Sequence, residues 1–181
     1  MNLVVAVDSK WGIGYKGDLL VRIRDDLRNF AALTGGKTVV LGSNTLATFP
    51  GGRVLKGRNN IVLNPDPAYR PDGATVAHSI PELLDIVSEL DSDGVWVIGG
   101  MSVYRQLLPH CRLAFVTHVD ADFEKDAFFP DLDSDPAWHM IFRGGDRESA
   151  PGDKLGALRD GRIPDKVNYY FSVYAADGSG K

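Results

Sequence analysis

The stretch Val95-Trp-Val-Ile-Gly-Gly-Met-Ser-Val-Tyr104 decides the fold class, because an apolar run passes through two glycines into a helical pattern. Residues 95–98 are apolar and predict a buried strand, and residues 102–108 predict a helix that follows it. A second junction has the same order: residues 38–41 predict a buried strand, and Gly42 ends it before a short helix. Two strand–glycine–helix junctions in one chain favour an α/β protein.

Strands and helices alternate outward from these junctions through the first two thirds of the chain, and strands dominate afterwards. Ser79, at the start of one predicted helix, has Glu82 three residues later, which is a capping-box pair. The fold class that we predict is α/β, with a mostly parallel central sheet, an antiparallel C-terminal edge strand and flanking helices. Further strands are predicted over residues 3–7, 60–63, 75–77, 113–119, 138–143 and 168–174, and further helices over residues 24–33 and 79–90.

The size and composition fit one domain over residues 1–181, with 44% hydrophobic and 24% charged residues. The polar, glycine-rich residues 144–166 separate the last two strands and predict a surface insertion, either a disordered or plain surface lobe or a loop that contacts a partner. The net charge of −4 does not encourage nucleic-acid binding. We expect neither a secretory signal nor a membrane span, and the single cysteine is consistent with a reducing, cytoplasmic location.

Both junctions could also bind a dinucleotide, because glycine lets backbone N–H groups approach a phosphate and a helix N-terminus adds a favourable dipole. Glycine ends strands throughout α/β proteins, however, and neither junction has the G-x-G-x-x-G fingerprint of the dinucleotide-binding fold. The junctions alone therefore leave both interpretations open.

Asp25 and Asp26 lie near the start of the helix predicted over residues 24–33. At about 100° per residue, Asp25 points almost opposite the apolar stripe of this helix, whereas Asp26 lies at the edge of the stripe, one turn from Phe30. A carboxylate at this edge is either half solvated or lines a pocket, where burial would raise its pKa and make it a proton carrier. Periodicity alone leaves both alternatives open.

The four histidines and Cys111 do not have the spacing of metal ligands, so we predict no metal site. The chain also has neither a serine nucleophile elbow nor a lysine-containing phosphate loop. Arg58 follows a glycine and precedes a predicted strand, and it is either a surface arginine or a clamp for a carboxylate.

In chain order, these pieces resemble the dihydrofolate reductase family over nearly the whole chain. Each segment is weak evidence by itself, but this order and spacing are very hard to obtain by chance. The resemblance implies a reductase that uses NADPH to convert dihydrofolate to tetrahydrofolate for one-carbon metabolism. The segments that carry it are Val5-Ala-Val-Asp8, Gly12-Ile-Gly-Tyr-Lys-Gly-Asp-Leu19, Asp26 with Phe30, Val39-Val-Leu-Gly42 with Thr45, Gly57-Arg-Asn-Asn-Ile61, Val97-Ile-Gly-Gly100 with Val103-Tyr104, Thr117-His-Val-Asp120 and Tyr169-Tyr-Phe171.

The resemblance also implies roles for individual residues. Asp26 would promote protonation of the substrate N5, and Thr117 would hydrogen-bond to that carboxylate and to the substrate. Backbone carbonyls at Val4 and Ile98, apolar walls and a clamp at Arg58 would hold dihydrofolate or an antifolate inhibitor. The implied substrate-binding positions are Val4, Val5, Val21, Leu27, Phe30, Thr48, Phe49, Leu55, Arg58 and Ile98.

The cofactor, by the same resemblance, would lie against the two glycine junctions, and residues 12–19 would form a loop that closes over its nicotinamide. No metal is implied, and we expect a monomer that binds neither nucleic acid nor membrane. The implied cofactor-binding positions are Ala6, Ile13, Gly14, Leu19, Gly42, Ser43, Asn44, Thr45, Leu63, Asn64, His78, Gly99, Gly100, Met101, Ser102, Val103 and Tyr104.

The chain departs from the family's pattern at two places. Leu20-Val21 stands where the family usually has Pro-Trp, and valine cannot donate the hydrogen bond of that tryptophan. Ser43 and Ser102 stand where basic residues usually contact the cofactor, and the loss of one charge-assisted contact costs about 1.5–3 kcal/mol. We therefore expect NADPH with weakened discrimination against NADH, and His78 as a partial replacement for the missing charge.

Two other functions compete with this one. The related pyrimidine reductase of riboflavin synthesis shares the fold and the cofactor, but Asp26 with Arg58 favours a pterin that carries a glutamate tail. A catalytically inert folate- or NADPH-binding protein is motivated by Val21 and Ser43, and the absence of turnover would distinguish it.

Overall fold

A computed structural model describes residues 1–178 of the chain. The helices are α1 (Arg24–Thr34), α2 (Ser43–Ala47), α3 (Ile80–Ser88) and α4 (Met101–Leu107). The strands are β1 (Asn2–Val7), β2 (Gly12–Tyr15), β3 (Asp18–Leu19), β4 (Val21–Arg22), β5 (Thr38–Gly42), β6 (Asn59–Leu63), β7 (Ala74–Ala77), β8 (Val95–Gly99), β9 (Leu113–Val119), β10 (Ala127–Phe128), β11 (Trp138–Arg143), β12 (Arg147–Glu148), β13 (Lys154–Leu155) and β14 (Asn168–Ala176).

Two compact units divide the chain. The first unit comprises residues 1–3 and 32–111, and the second comprises residues 4–31 and the chain from residue 112 onward. The single domain over residues 1–181 stays a prediction, and residues 179–181 lie outside the described part of the chain.

The first unit contains a parallel sheet. The start of β1 pairs with β8, β8 with β5, β5 with β6 and β6 with β7. The inner positions of β5, β6 and β8 are mostly buried Val, Ile and Leu, which is typical of parallel sheets. Because β5 and β8 are parallel neighbours, the glycine junctions at their carboxyl ends, Gly42 and Gly99-Gly100, lie at the same edge of this sheet.

The second unit contains an antiparallel sheet. Strand β14 pairs with β9 from Tyr169 opposite Val119 to Ala175 opposite Leu113, and β11 and β12 also pair with β14. Side chains alternate between the two faces of a strand, so Thr117 and Val119 of β9 lie on the same face. This register determines which β9 side chains can contact helix α1.

Residues 12–19, expected to be a loop, form a short β-hairpin instead. Strands β2 and β3 pair around Lys16-Gly17, where both residues have positive φ, and β10 pairs with β2. The Lys16 N–H donates to the Asp126 carboxylate at 2.9 Å, and Asp126 lies 110 residues further along the chain. The local pattern missed this hairpin because its supporting contacts are so distant in sequence.

The predicted α/β class is confirmed, with a mostly parallel sheet, an antiparallel C-terminal part and flanking helices. One half of the predicted capping box of α3 is present, since the Ser79 hydroxyl accepts the Glu82 N–H at 3.2 Å, whereas the Glu82 carboxylate accepts the N–H of His78 at 2.7 Å. Residues 144–166 contain β12 and β13, which pair with β14 and β4, so this segment is attached to the second unit along its length. Within residues 1–178, none of the helices has the length and apolar character needed to cross a membrane.

Candidate active site

Helix α1 carries two adjacent carboxyl groups, Asp25 and Asp26, in its first turn. Asp26 is part-buried, and its Oδ1 accepts a hydrogen bond of 2.6 Å from the hydroxyl of Thr117 on β9. Thr117 is only 2% exposed, so the donor is held rigidly by the sheet of the second unit. The structure therefore brings together the two residues that the sequence predicted as catalytic.

The two neighbouring carboxyl groups have opposite electrostatic environments. Burial raises the pKa of Asp26; the Thr117 hydrogen bond lowers that pKa in part, and the charge of Asp25 raises it again. Burial also raises the pKa of Asp25, but hydrogen bonds from Tyr169 and from arginine side chains hold it below the ordinary value. The first turn of α1 thus carries two different carboxyl groups: Asp25 is ion-paired, whereas Asp26 holds a proton more readily.

The apolar residues predicted to surround the substrate in the second unit differ in exposure. Val4 and Val5 are buried in β1, and Val21 is buried in β4. On helix α1, Leu27 is 43% exposed and Phe30 is half-buried. Apolar surface therefore remains available next to Asp26, on the helix that carries it, and a ring-binding site needs such surface.

Four predicted cofactor positions also belong to the second unit. Ala6 and Ile13 are half-buried, Gly14 is buried, and Leu19 is 57% exposed at the end of the hairpin. A Cβ at Gly14 would lie 2.9 Å from the backbone carbonyl oxygen of Asp18, so the hairpin can close only around a glycine there.

In the first unit, Arg58 is half-buried and oriented by two contacts. Its Nε donates to the buried Thr34 hydroxyl at 3.2 Å, and its Nη1 donates to the Lys56 carbonyl at 2.9 Å. A guanidinium held in one plane suits a carboxylate, which it can bind through two parallel hydrogen bonds. The geometry fits the predicted clamp better than a freely moving surface arginine.

Asn60 holds the segment that leads to Arg58, and the sequence reasoning missed it. Asn60 is 2% exposed; its Oδ1 accepts the Leu55 N–H at 3.0 Å, and its Nδ2 donates to the carbonyls of Leu55 and Arg58 at 2.9 and 3.1 Å. The available signal was a polar residue at the first buried position of the otherwise apolar strand β6.

The remaining predicted substrate positions of the first unit divide into two kinds. Phe49, Leu55 and Ile98 are partly buried and pack against a common cluster of buried residues from β5, α2 and β6. Thr48 is exposed, and its hydroxyl donates to the Thr45 carbonyl at 2.7 Å, which ends the short helix α2. Phe49, Leu55 and Ile98 therefore share one apolar cluster, and the Thr48 side chain is hydrogen-bonded to the backbone of α2.

The two glycine junctions leave no room for side chains. A Cβ at Gly100 would lie 2.9 Å from the Thr45 hydroxyl oxygen, and a Cβ at Gly42 would lie 3.1 Å from a methyl carbon of Val103. Gly99 has a φ of +130°, which favours glycine over any other residue. The glycines at this edge of the sheet are therefore required by close packing within the first unit, against Thr45 and Val103.

Four polar residues form a chain of contacts: Ser43 begins α2, Asn64 follows β6, His78 follows β7, and Arg70 lies between these two strands. The Asn64 Nδ2 donates to the Ser43 hydroxyl at 2.8 Å, and the His78 Nδ1 lies 2.9 Å from the Asn64 carbonyl oxygen. The Nη1 of Arg70 lies 3.5 Å from the His78 Nε2. An arginine that the sequence did not single out therefore stands beside the predicted cofactor positions Ser43, Asn64 and His78.

The other predicted cofactor positions lie on or beside the two junctions. Asn44 and Ser102 are exposed, and the Ser102 hydroxyl accepts the Gln106 amide N–H at 2.9 Å. Leu63 and Met101 are half-buried, while Val103 and Tyr104 are buried against the sheet. Among residues 1–178 there is no group of three or more His, Cys, Asp or Glu side chains arranged to hold a metal ion.

Comparison with known proteins identifies the family. The family model for dihydrofolate reductase matches residues 1–153. The dihydrofolate reductase of Heliothis virescens is 30% identical over 189 residues, 96% of either chain, and that of Bacillus subtilis (strain 168) is 31% identical over 141 residues, 78% of this chain and 81% of the relative. The structure of the Enterococcus faecalis dihydrofolate reductase complexed with NADP(H) and RAB-propyl superposes with a TM-score of 0.77, at 29% identity, over 97% of this chain and 95% of that one.

The chain belongs to the dihydrofolate reductase family. The family predicted from the sequence motifs is therefore confirmed, and so is the enzyme class, an oxidoreductase. The roles of single residues are a different matter, because a family match does not assign them. They stay predictions, supported by the geometry described above.

Asp153 is a further residue that the sequence reasoning did not find. Its carboxylate accepts hydrogen bonds from the backbone and the side chain of Arg24, the first residue of α1, both at 3.1 Å. Nothing in the local pattern links residue 153 to residue 24, so no sequence signal could have revealed this contact. The family match ends at the same residue, within the segment 144–166.

Proposed function

We propose that the chain reduces 7,8-dihydrofolate to tetrahydrofolate with NADPH, and that Asp26 promotes protonation of the substrate N5. The observation that carries this proposal is the part-buried Asp26 carboxyl group on the Thr117 hydroxyl, with a pKa raised by burial. A carboxyl group of this kind is suited to proton transfer near neutral pH. Tetrahydrofolate then serves one-carbon metabolism and thus thymidylate, purine and amino-acid synthesis.

The reaction adds a hydride to C6 and a proton to N5 of the dihydropterin ring. NADPH supplies the hydride when it is bound. Asp26 binds the amino group and N3 side of the pterin and, through water, favours the protonated N5. Asp25 cannot replace it, because Tyr169, Arg147 and Arg28 already occupy both of its oxygens.

The residues of the first unit fit a bound dinucleotide. At Gly42 and Gly100 a Cβ would collide with Val103 and with the Thr45 hydroxyl, so glycine allows this close packing, and the backbone N–H groups that begin α2 and α4 are the donors we propose for the pyrophosphate. At the family's usual cation positions stand Ser43 and Ser102, so the 2′-phosphate of NADPH would depend on the group formed by Ser43, Asn64, His78 and Arg70. We propose NADPH as the preferred cofactor, with discrimination against NADH weaker than a dedicated arginine at position 43 would give.

The first test is direct. Purified protein is mixed with dihydrofolate and NADPH, and the absorbance at 340 nm is followed. Asp26→Asn should lose about a hundredfold or more in kcat, the usual contribution of general acid catalysis. Asp160→Asn, a change at an exposed carboxylate paired only with its neighbour Arg162 in the described contacts, is the matched control. Near-normal turnover by Asp26→Asn at neutral pH would exclude Asp26 as the acid.

The second test addresses the cofactor. Arg70→Met should lower kcat/KM for NADPH about tenfold or more, the factor expected for one charge-assisted phosphate contact, and leave kcat/KM for NADH unchanged. Arg105→Met, at an exposed arginine of α4, is the control. Equal losses with both cofactors would contradict a role at the 2′-phosphate, and an NADPH preference above about a thousandfold in the parent would reveal a stronger phosphate ligand than these four residues.

We further propose that the chain binds antifolate inhibitors at the substrate positions and works as a cytoplasmic monomer. The single cysteine is buried, and burial raises its pKa to about 12, so Cys111 is poorly suited to an intermolecular disulfide. Strand β11 carries exposed apolar side chains that could form a dimer contact, since Ile141 and Phe142 are each 55% exposed. Sedimentation of the parent and of Ile141→Lys distinguishes a monomer from a dimer formed through this strand.

A further inference from the structure

Residues 144–166 lie against the segment that leads into the helix of the proposed acid. Strand β13 pairs antiparallel with β4, with Leu155 opposite Val21. The Gly156 N–H donates to the Leu20 carbonyl at 2.8 Å, and a Cβ at Gly156 would lie 2.8 Å from the same oxygen. A glycine at 156 is therefore what allows this close pairing, and the segment holds Leu20-Val21 in place.

Asp153 acts as the N-cap of α1 from a distance of 129 residues. The helix is preceded by Ile23, whose side chain has no acceptor for the free N–H groups of the first turn. Asp153 Oδ1 accepts the Arg24 N–H and the Arg24 Nε–H, while Oδ2 accepts the Ala150 N–H at 2.8 Å. The side chain is 2% exposed, so this cap is a rigid one.

Arg24 completes the attachment from its own side. Its Nη2 donates to the Pro151 carbonyl at 2.5 Å, so two nitrogens of the Arg24 guanidinium group, Nε and Nη2, are bound to the segment. Arg24 is the first residue of α1 and Asp26 is the third. Any shift of this first turn moves the carboxyl group of Asp26 relative to Thr117.

A second contact of the segment reaches the residue next to the acid. The Nη1 of Arg147 donates to Asp25 Oδ2 at 3.0 Å, and Tyr169 donates to the same oxygen at 3.1 Å. Arg28 contacts the other oxygen at 3.3 Å. Asp25 is therefore contacted by Arg28 from α1, Tyr169 from β14 and Arg147 from the segment. Asp26 is affected by the Thr117 hydrogen bond from β9 and by the charge of Asp25.

We propose that the segment 144–166 is a positioning element of the active site, in which Asp153 fixes the first turn of α1 and Arg147 neutralises Asp25, both acting through Asp26. This inference rests on the proposed function, since it takes Asp26 as the acid. The segment thereby supports the position where the family usually has Pro-Trp and this chain has Leu20-Val21. A partner-contact loop would not need these inward contacts.

The first experiment measures Asp153→Ala, with Asp153→Asn as a milder variant in case the alanine variant does not fold. The concentration of folded enzyme is taken from the fluorescence change on NADPH binding, and kcat and KM for dihydrofolate are measured per folded molecule. We expect kcat to fall about fivefold or more, because the first turn of α1 no longer holds the Asp26 carboxyl group in place, with KM for NADPH unchanged. A purely structural role would lower the melting temperature and leave kcat per folded molecule unchanged, and that result would overturn the proposal for Asp153.

The second experiment measures the pH dependence of kcat for Arg147→Met, Arg147→Lys and the control Asp160→Asn. Without the Arg147 cation, Asp25 repels a negative charge on Asp26 more strongly, which raises the pKa of Asp26. In Arg147→Met the alkaline fall of kcat should therefore move to a pH about half a unit higher. Arg147→Lys keeps the charge and should show the parent profile. Because Arg147 is partly exposed, salt should reduce the difference. An unchanged midpoint in Arg147→Met would overturn the proposal for Arg147.

The parent protein separates this inference from the proposed function. If the parent does not oxidise NADPH with dihydrofolate, the proposed function fails. If the parent is active and the variants at 153 and 147 behave like Asp160→Asn, the inference alone fails. Titration of the Asp26 carboxyl carbon by nuclear magnetic resonance, in the parent and in Arg147→Met, measures the same shift without turnover.

Discussion

Replacing Thr117 with valine removes one hydroxyl from the proposed active site and nearly preserves the shape of a buried residue. The hydroxyl lies 2.6 Å from Asp26 Oδ1, and its residue is 2% exposed, so water cannot easily take its place. The carboxylate that loses this donor is one that burial and the charge of Asp25 already disfavour. The substitution should therefore destabilise the folded protein whenever Asp26 is ionised.

The size of this effect follows from the type of hydrogen bond. A bond to an ionised group contributes about 1.5–3 kcal/mol, whereas a bond between neutral groups contributes about 0.5–1.5 kcal/mol. Thr117→Val should thus lower the unfolding free energy by about 1.5–3 kcal/mol in the parent and by about 0.5–1.5 kcal/mol in Asp26→Asn, where the hydroxyl donates to a neutral amide oxygen. The two substitutions should couple by about 1 kcal/mol or more.

Urea unfolding of the four proteins of this cycle at neutral pH measures the coupling, provided that the slope with denaturant is the same in all four. The hydrogen bond favours the ionised form of Asp26, so the cost of Thr117→Val should be largest above the folded-state pKa and should shrink as pH falls through it. The alkaline fall of kcat should also move to higher pH in Thr117→Val. A cost below about 0.5 kcal/mol, or the same cost in both backgrounds, would refute the reasoning.

Three further predictions follow from single contacts. Asp26→Asn should raise the unfolding free energy at neutral pH. The stability that the protonated Asp26 contributes is complete below the unfolded-state pKa of 3.8 and is lost as pH rises through the raised folded-state pKa. Thermal melts from acid to neutral pH should therefore show that the gain of the variant grows with pH, and a constant difference would contradict this. Asn60→Ala should cost about 1–3 kcal/mol and raise KM for dihydrofolate more than it lowers kcat, because it leaves the Leu55 backbone groups without partners, and unfolding together with steady-state kinetics would check both. Gly100→Ala should weaken NADPH binding about tenfold or more, because its Cβ would collide with the Thr45 hydroxyl. Adding Thr45→Ala in the same chain should restore part of the NADPH affinity. If it does not, the collision with Thr45 is not the cause of the loss.

The sequence was sufficient for those parts of the fold that depend on local patterns. Helix α1 and strands β5, β8 and β9 lie within two residues of their predicted bounds, because each is an apolar run or stripe that ends at a glycine, a proline or a polar turn. The helical-face argument also separated Asp26 from Asp25, and in the structure Asp26 is the one that contacts β9.

The sequence was not sufficient where the structure depends on pairing between distant residues. The hairpin at residues 12–19 is predicted as a loop because its glycines are typical of loops, yet β2 pairs with the neighbouring β3 and is supported by the distant β10 and Asp126. Strands β12 and β13 are two residues long, too short for any periodicity to be read. Patterns within a window carry no information about partners more than a hundred residues away.

The same limit applies to the candidate site. Motifs pointed to residues that would touch ligands, such as Asp26 and Arg58, because the chemistry of binding restricts the residue type. They assigned no role to Asn60, Arg70 or Asp153: Asn60 holds the backbone at Arg58, Asp153 caps the helix of Asp26, and Arg70 lies against His78. Such supporting contacts can be made by many residue types from many positions, so only the folded chain reveals them.

We propose that the sequence Leu20-Val21 and the segment 144–166, both in the second unit, are related. By the sequence resemblance, Leu20-Val21 stands where the family usually has Pro-Trp; in the structure, the segment 144–166 pairs with this same Val21 and caps the helix that follows it. A helix entry that has lost its stiff proline needs another restraint, and the strand pairing of β4 with β13 supplies one. Removing the segment from this chain should therefore lower kcat. Placing Pro-Trp at positions 20 and 21 should reduce the loss of kcat that Asp153→Ala causes. The combination of Pro-Trp with Asp153→Ala measures whether these two restraints replace each other.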